Sequence, residues 1–344
     1  MQKRTAISDF LLDKLRSGEV KPGGKLPSQT ALMRRFQCSR TTVVLAVEAL
    51  RRSGHVECRQ GSGIYAAVSQ PQMRNGAAIR RVLAIGDQAS NILHTPYATA
   101  VQEMDTGGLE LSFMNMRQVE ERSAQLSQPG QAVIWLLPPE QMLPQIAHLR
   151  RLGIPQLLLN RSYGDYDAVW TDAAASIRMG MEWLLERSGP EVAFIAPPPA
   201  LGKPYLIERT LAFYEACFAL HAHLEPDMIF KSDFSDVVTE IDAVTKKIFS
   251  RPDHPRGIFI LDFQVAVPFI FSAAKYHREL GMHYFLLLFD ETVKLRGGRG
   301  VAMLPQPLHL FQAEMEKWLQ HVVASGGSSA KPFRKQLPCT LIKP

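Results

Sequence analysis

The sequence of 344 residues has few of the features that define several large classes of protein. It contains four cysteines, Cys38, Cys58, Cys217 and Cys339, and their spacing is neither that of a metal-binding pair nor that of a disulfide framework. No apolar run is long enough to cross a membrane, and charged residues interrupt the apolar stretch 7–15, unlike a signal peptide. We therefore expect reduced thiols, no membrane association and a cytoplasmic location.

The common catalytic signatures are also absent. The sequence has no Gly-x-Ser-x-Gly turn, no His-Glu-x-x-His zinc motif and no phosphate-binding loop that ends in Gly-Lys-Ser. The glycine-rich stretch 297–300 is better explained as a flexible turn, and His221 and His223 lack a third metal ligand. We predict no enzymatic activity, no catalytic residue, no cofactor and no metal site.

Positive charge is concentrated at the beginning of the chain. Residues 1–70 contain 12 Lys and Arg against 5 Asp and Glu, whereas the remainder contains 27 against 28. A basic segment can be a solvated surface, but it also attracts the phosphates of nucleic acid. The motifs inside this segment favour the second interpretation.

Residues 26–65 have the pattern of a helix-turn-helix followed by a β-hairpin. Ser28 and Ser39 are each suited to cap a helix, and the apolar residues between 43 and 50 recur with the period of one buried helix face. Strand-like periodicity after Gly54 and a Gly-Ser-Gly turn predict the hairpin. In this motif the first turn of the second helix enters the major groove of DNA. The predicted DNA-binding residues are Ser28, Gln29, Thr30, Ser39, Arg40, Thr41, Thr42, Arg59, Gln60 and Gly61.

Three motifs in order, in residues 18–28, 39–43 and 60–65, resemble the GntR family of bacterial transcription regulators. They read Gly-Glu-Val-Lys-Pro-Gly-Gly-Lys-Leu-Pro-Ser, Ser-Arg-Thr-Thr-Val and Gln-Gly-Ser-Gly-Ile-Tyr. The resemblance implies a winged helix-turn-helix domain over residues 1–68, whose partner is a double-stranded DNA operator.

The remainder of the chain alternates short apolar strands with amphipathic helices after a polar linker, predicted at residues 69–80. This order is typical of parallel sheets covered on both faces. Residues 81–344 are too many for one open sheet, so we expect two doubly wound lobes with a cleft between them. Strands are predicted at 82–86, 109–114, 132–137, 155–160, 192–196, 258–261 and 284–289, and helices at 139–151, 173–187, 205–221, 237–249 and 265–280.

A second resemblance covers this body. Motifs at 153–155, 159–161, 169–172, 209–213, 259–262 and 288–290 are similar to the successive landmarks of the LacI/GalR sensor domain. The resemblance implies an α/β fold in which an N-terminal winged helix-turn-helix precedes a two-lobed, doubly wound, periplasmic-binding-protein-like domain for effector binding and dimerisation. A GntR-type head, here residues 1–68, joined to such a body, here residues 81–344, resembles arabinose-repressor-like regulators. These are homodimers that respond to a small sugar or polyol.

Ligands of doubly wound sheets lie beyond the carboxyl ends of the strands, where Asp172, Asp262 and Asp290 follow apolar runs. Arg209 begins a run that resembles the sensor family's sugar-contacting arginine. Carboxylates accept hydrogen bonds from hydroxyls and an arginine donates a forked pair, so these four residues are the predicted effector site. An aspartate at such a position can instead cap the helix that follows. Three neighbouring aromatic residues could stack on a sugar or pack in the core: Trp170, Tyr205 and Phe263.

We interpret the chain as a transcription regulator, and specifically as a repressor released by a carbohydrate-like effector. Two alternatives stay open. In the first, the body only dimerises and binds no ligand. In the second, the head is fused to an enzyme, as in GntR-type proteins with an aminotransferase-like body that holds pyridoxal phosphate. The strand-helix-strand order and the shorter body argue against that enzyme.

Overall fold

The computed structural model describes residues 2–16, 19–21, 23–52, 56–59, 62–66, 78–86, 96–119, 121–199, 203–326 and 331–344. The chain forms two compact units. Met1–Ala77 and His148–Ile154 belong to the first unit, and Ala78–Ala147 and Pro155–Pro344 belong to the second. The predicted linker 69–80 is described only from residue 78 onward.

The N-terminal segment folds into three helices and an antiparallel hairpin. The elements are α1 (Gln2–Arg16), α2 (Gln29–Phe36), α3 (Arg40–Arg52), β1 (Val56–Arg59) and β2 (Gly63–Ala66). Gln37 ends α2 with a left-handed backbone, φ 46°, so that the chain turns sharply into α3. This is the predicted winged helix-turn-helix order.

One apolar core holds this segment together. The predicted buried face of α3 is at most 4% exposed and packs with Ile7 and Leu11 of α1 and Leu32 of α2. Val56 and Ile64 attach the hairpin to the same core. Each fully buried aliphatic side chain contributes about 1.5 to 3 kcal/mol, so the hairpin is held by apolar packing as well as by its hydrogen bonds. The residues on the buried face of α3 are Val43, Ala46, Val47 and Leu50.

The second unit contains two parallel sheets with helices packed against them. Its strands are β3 (Arg81–Gly86), β4 (Glu110–Asn115), β5 (Gln131–Leu136), β6 (Gln156–Leu159), β7 (Asp167–Asp172), β8 (Val192–Ala196), β9 (Ile229–Lys231), β10 (Gly257–Ile260), β11 (Phe285–Phe289), β12 (Val301–Leu304) and β13 (Arg334–Pro338). The helices that alternate with these strands in sequence are α4 (Pro96–Gln102), α5 (Ser123–Leu126), α6 (Leu143–Arg151), α7 (Ala173–Ser188), α8 (Pro204–Ala219), α9 (Val237–Phe249), α10 (Ala266–Lys275) and α11 (Leu308–Ser325).

The two sheets define two lobes. The first lobe has the strand order β13-β7-β6-β5-β3-β4, and residues of α4 and α11 form the core on one of its faces. The second lobe has the order β12-β11-β10-β8-β9, with α7 and α8 on one face and α9 and α10 on the other. Both sheets are parallel throughout, because each crossover connection carries the chain back in the same direction. The predicted two-lobed, doubly wound fold is confirmed.

The chain passes between the lobes three times. It leaves the first lobe between β7 and α7, returns through residues 305–307 between β12 and α11, and after β13 reaches the second lobe again, where Ile342 pairs with Met303. Short connections of this kind let two lobes rotate about a common line. The crossings therefore place residues 172, 305–307 and 339–341 at a hinge.

All seven predicted strands are present, most of them displaced by about one residue. Helix α10 ends at Lys275 rather than 280, because the chain turns at His277, whose φ is 55°. Strands β7, β9, β12 and β13 and helices α4, α5 and α11 were not predicted. Strand β9 has three residues and β13 reads Arg-Lys-Gln-Leu-Pro, so neither has an apolar run of the kind that indicates a strand.

Candidate DNA-binding and effector sites

The first candidate surface is the exposed side of α2 and α3. Ser28 caps α2, since its Oγ accepts a hydrogen bond from the Ala31 amide at 3.2 Å, and it is exposed. Thr30 is also exposed, and Gln29 is half-buried. These three predicted residues thus lie at the start of α2, where free backbone N–H groups and hydroxyls suit contacts with phosphate.

The first turn of α3 presents a basic and hydroxyl-rich surface. Ser39 Oγ accepts a hydrogen bond from the Thr42 amide at 3.3 Å and lies 3.0 Å from Thr42 Oγ1, so these two side chains fix the turn. Arg40 and Thr41 are exposed. Arg40 forms no ion pair among the described residues, which leaves its guanidinium free to read a base edge.

Two exposed apolar residues on α3 were missed from the sequence. Val44 is 39% exposed and Leu45 is 51% exposed, and they follow Arg40 and Thr41 by one helical turn. Apolar side chains in this place suit contact with a thymine methyl group. The signal was available, because neither residue fits the buried period of α3.

The tip of the hairpin is described only in part. Strands β1 and β2 pair in the register that sets Arg59 opposite Gly63, whose φ is 117°. Gln60, Gly61 and the side chain of Arg59 lie outside the described residues. The DNA-binding role of these three residues stays a prediction.

The second candidate site is a cleft of about 390 Å³ in the body. Asn160 follows β6, Asp290 follows β11 and residues 305–306 follow β12, so the cleft lies at the carboxyl ends of the strands, as the topology predicts. The walls combine aromatic rings with a few polar groups, as in most small-molecule sites. The polar and aromatic residues that line the cleft include Tyr97, Asn160, Arg161, Tyr205, Arg209, Phe263, Asp290 and Gln306.

Arg209 and Asp290 form an ion pair at one wall of the cleft. Arg209 Nη1 lies 3.2 Å from Asp290 Oδ2, and the two side chains are 9% and 27% exposed. The guanidinium carbon is 3.8 Å from the centroid of the Phe289 ring, a cation-π contact. Asp290 has a φ of 68°, a conformation that costs free energy and recurs at functional positions. These contacts fix the direction in which both polar groups face the cleft.

A hydrogen-bond network connects this pair to the first lobe. Gln306 Nε2 donates to Asp290 Oδ1, and Gln306 Oε1 accepts from the Thr171 hydroxyl. The Thr171 hydroxyl also lies 3.0 Å from Asn160 Oδ1, and Asn160 Nδ2 donates to the Tyr97 hydroxyl at 2.6 Å. Burial raises the pKa of Tyr97, so its phenol stays protonated. The network places Gln306, a residue of a crossing segment, between the two lobes.

The structure separates two of the predicted aspartates from the cleft. Asp172 Oδ1 accepts a hydrogen bond from the Ala175 amide at 2.9 Å and caps α7, and Asp172 lines a different surface hollow. Asp262 Oδ1 accepts from the Gln264 amide at 3.0 Å and caps a short helical turn. The structure therefore does not bring Asp172 or Asp262 to the wall that Arg209 lines, and Asp290 is the predicted carboxylate that contacts Arg209.

The aromatic candidates divide in the same way. Tyr205 and Phe263 line the cleft, whereas Trp170 lines a smaller adjoining pocket together with Arg161, Tyr205 and Arg209. The Arg334 guanidinium lies 4.9 Å from the Trp170 ring. Asn160 and Gln306 were not predicted. Asn160 belongs to a quoted landmark at the end of a strand, and Gln306 stands between two prolines directly after β12, so both had a positional signal.

The comparisons with known proteins give one match to the N-terminal segment and others to most of the chain. Residues 3–66 match the family described as bacterial regulatory proteins, gntR family. Residues 3–66 form a GntR-family helix-turn-helix domain. The curated relative LutR of Bacillus subtilis, an HTH-type transcriptional regulator, is 49% identical over 51 residues, which are 15% of this chain and 23% of LutR. The chain thus spans about a quarter of the length of that relative.

Solved structures resemble nearly the whole chain. The complex of the transcriptional regulator CelR with cellobiose has a TM-score of 0.61 at 17% identity and covers 89% of this chain and 91% of its own. The lac repressor dimer bound to operator and the anti-inducer ONPF has a TM-score of 0.60 at 16% identity and covers 79% and 95%. The body therefore has the fold of a LacI-type sensor domain. Among the described residues no helix is long and apolar enough to span a membrane.

Proposed function

We propose that the protein is a sequence-specific DNA-binding transcription regulator whose body binds a small, hydroxyl-rich effector in the cleft. The observation that carries the proposal is the Arg209–Asp290 pair, held by Gln306 at the hinge between the lobes. The carboxylate accepts hydrogen bonds and the arginine donates them, so the pair suits two adjacent hydroxyl groups of a ligand. Tyr205 and Phe263 add aromatic surface for the apolar face of a sugar ring.

The cleft also provides a way to couple effector binding to DNA binding. Its lining residues come from both lobes, so a ligand that bridges them favours one lobe arrangement over another. A ligand changes DNA affinity only by the difference in its own affinity for the two arrangements. We propose that the effector lowers operator affinity, because the ligand-bound arrangement of the lobes binds the operator less tightly. The effector then releases repression.

We further infer that the protein acts as a homodimer. One winged helix-turn-helix covers a half-site, and two-fold dimers on pseudo-palindromes are the usual arrangement. Helix α8 has a stripe of exposed apolar side chains that an interface would bury, Ile207, Leu211 and Phe218 at 39%, 56% and 86% exposure. The operator-bound lac repressor, which has a similar fold, is a dimer.

The test is an operator-binding assay with and without effector. Operator sequences are first selected from a random DNA pool with the full chain, and binding is then measured against sugars, polyols, sugar acids and sugar phosphates. We expect at least one compound to change operator affinity about tenfold or more, which corresponds to a coupling free energy of about 1.4 kcal/mol. A chain that selects no DNA contradicts the function, and one that binds DNA but no compound supports a body that only dimerises.

A further inference from the structure

The cleft contains two arginines, and only one of them has a carboxylate partner. Arg209 pairs with Asp290, whereas Arg161 has no Asp or Glu oxygen within 4.0 Å among the residues that the structure describes. Arg161 Nη1 donates to its neighbour's backbone, the Asn160 carbonyl, at 2.6 Å. Its Nε is buried and has no hydrogen-bond partner within the described part of the chain. Most of the donors of this guanidinium are therefore uncommitted.

A partly buried cation without a counter-charge is costly. Burial lowers the pKa of Arg161, but a guanidinium remains protonated at neutral pH. The nearby Glu208 does not neutralise it by contact, because no hydrogen bond or ion pair joins the two side chains. Burial raises the pKa of Glu208, while Arg161 and Arg209 lower it. The chain itself thus offsets the unfavourable desolvation of Arg161 only in part, through the charge of Glu208 at a distance and the Asn160 carbonyl.

The two cations border the same part of the cleft. The guanidinium carbons of Arg161 and Arg209 lie 4.6 Å and 5.0 Å from the centroid of the Tyr205 ring. Asp290 is already committed to Arg209 and Gln306. A ligand in this region therefore contacts the Arg209–Asp290 pair, which suits hydroxyl groups, and the guanidinium of Arg161, which has no carboxylate in contact with it.

We propose that the effector carries an anionic group, a carboxylate or a phosphate, and that Arg161 binds this group. The proposal rests on the proposed function and narrows the effector to sugar acids or sugar phosphates. A guanidinium donates two parallel hydrogen bonds to either group, so its geometry suits both. Binding an anion next to Arg161 supplies the counter-charge that the chain lacks.

The first experiment uses inorganic phosphate as the simplest anion. Its affinity for the full chain is measured by calorimetry at constant ionic strength, for the wild type, Arg161→Gln, Arg161→Lys and the exposed control Arg178→Gln. We expect Arg161→Gln to raise the Kd about 10- to 100-fold, Arg161→Lys to raise it less, and Arg178→Gln to leave it unchanged. Glu208→Gln should lower the Kd, because it removes a competing negative charge. Equal affinity in the wild type and Arg161→Gln, or no binding to the wild type, overturns the proposal.

The second experiment distinguishes a carboxylate from a phosphate. It also distinguishes failure of the anionic-effector proposal from failure of the proposed function. Operator release is measured with matched sets: alditols, the corresponding aldonates and the corresponding sugar phosphates. The proposal predicts that a charged member acts on the wild type, that its uncharged counterpart acts at least tenfold more weakly, and that Arg161→Gln removes the difference. Release by aldonates alone assigns a carboxylate, and release by sugar phosphates alone assigns a phosphate. Equal release by an uncharged compound in both proteins refutes the anionic effector and leaves the proposed function intact.

Discussion

The Arg209–Asp290 pair allows a quantitative test of how the cleft is built. Asp290→Asn leaves the Arg209 guanidinium, 9% exposed, without its counter-charge, and should cost about 3 to 5 kcal/mol of unfolding free energy. Arg209→Met should cost less, about 1 to 3 kcal/mol, because Asp290 is 27% exposed and keeps its hydrogen bond from Gln306. The double variant removes both charges, so it should be more stable than Asp290→Asn alone.

The assay is urea unfolding of the four proteins, with operator and effector binding measured on the same preparations. We expect both single variants and the double variant to lose the effector response, whereas operator affinity without effector stays nearly that of the wild type wherever the protein is folded. If the two stability losses add to within about 0.5 kcal/mol in the double variant, the pair is not coupled and the reasoning fails. A normal effector response in the double variant refutes the assigned role of the pair.

Three further predictions concern the head and the assembly. Arg40→Ala should weaken specific operator binding by about 1 to 3 kcal/mol, and unchanged affinity in a fluorescence assay contradicts a base contact. Arg59→Ala should instead reduce the slope of log affinity against log salt by about one unit, which a salt titration of the same DNA measures. A truncated chain that begins near residue 80 should be a dimer in light scattering. A strictly monomeric body at micromolar concentration counts against dimerisation through the body.

The elements with strong periodicity were accessible from the sequence. The buried face of α3 and the long apolar runs of β8 and β11 gave nearly correct boundaries, because burial on both faces of a parallel sheet requires continuous apolar sequence. Strand β13 was missed since its partner, β7, is about 165 residues away in sequence, and only the assembled sheet shows the pairing. Polar residues are compatible with β13 because this strand lies at the edge of the sheet.

The site was harder to predict than the fold. Both Asp172 and Asp290 follow a strand, and the sequence pattern is the same for a helix cap as for a ligand-binding carboxylate. The difference is geometric, because Asp172 is followed directly by α7, whereas Asp290 adopts a left-handed backbone and meets Arg209, 81 residues earlier in the chain. Gln306 connects Asp290 to Thr171, which lies 135 residues before Gln306, and no local pattern indicates this contact.

The central claim is that a ligand in the cleft controls the affinity of the head for DNA. The most direct measurement is the operator affinity of the wild type and of Tyr205→Ala. Fluorescence anisotropy monitors this affinity while the compound that changed wild-type operator affinity is titrated. Tyr205 lines the cleft, is half-buried and contacts both arginines, and the melting temperature of Tyr205→Ala checks that the variant is folded. The account predicts that effector shifts the wild-type affinity about tenfold or more and leaves the Tyr205→Ala affinity unchanged over the same concentrations. An equal shift in both proteins would contradict it.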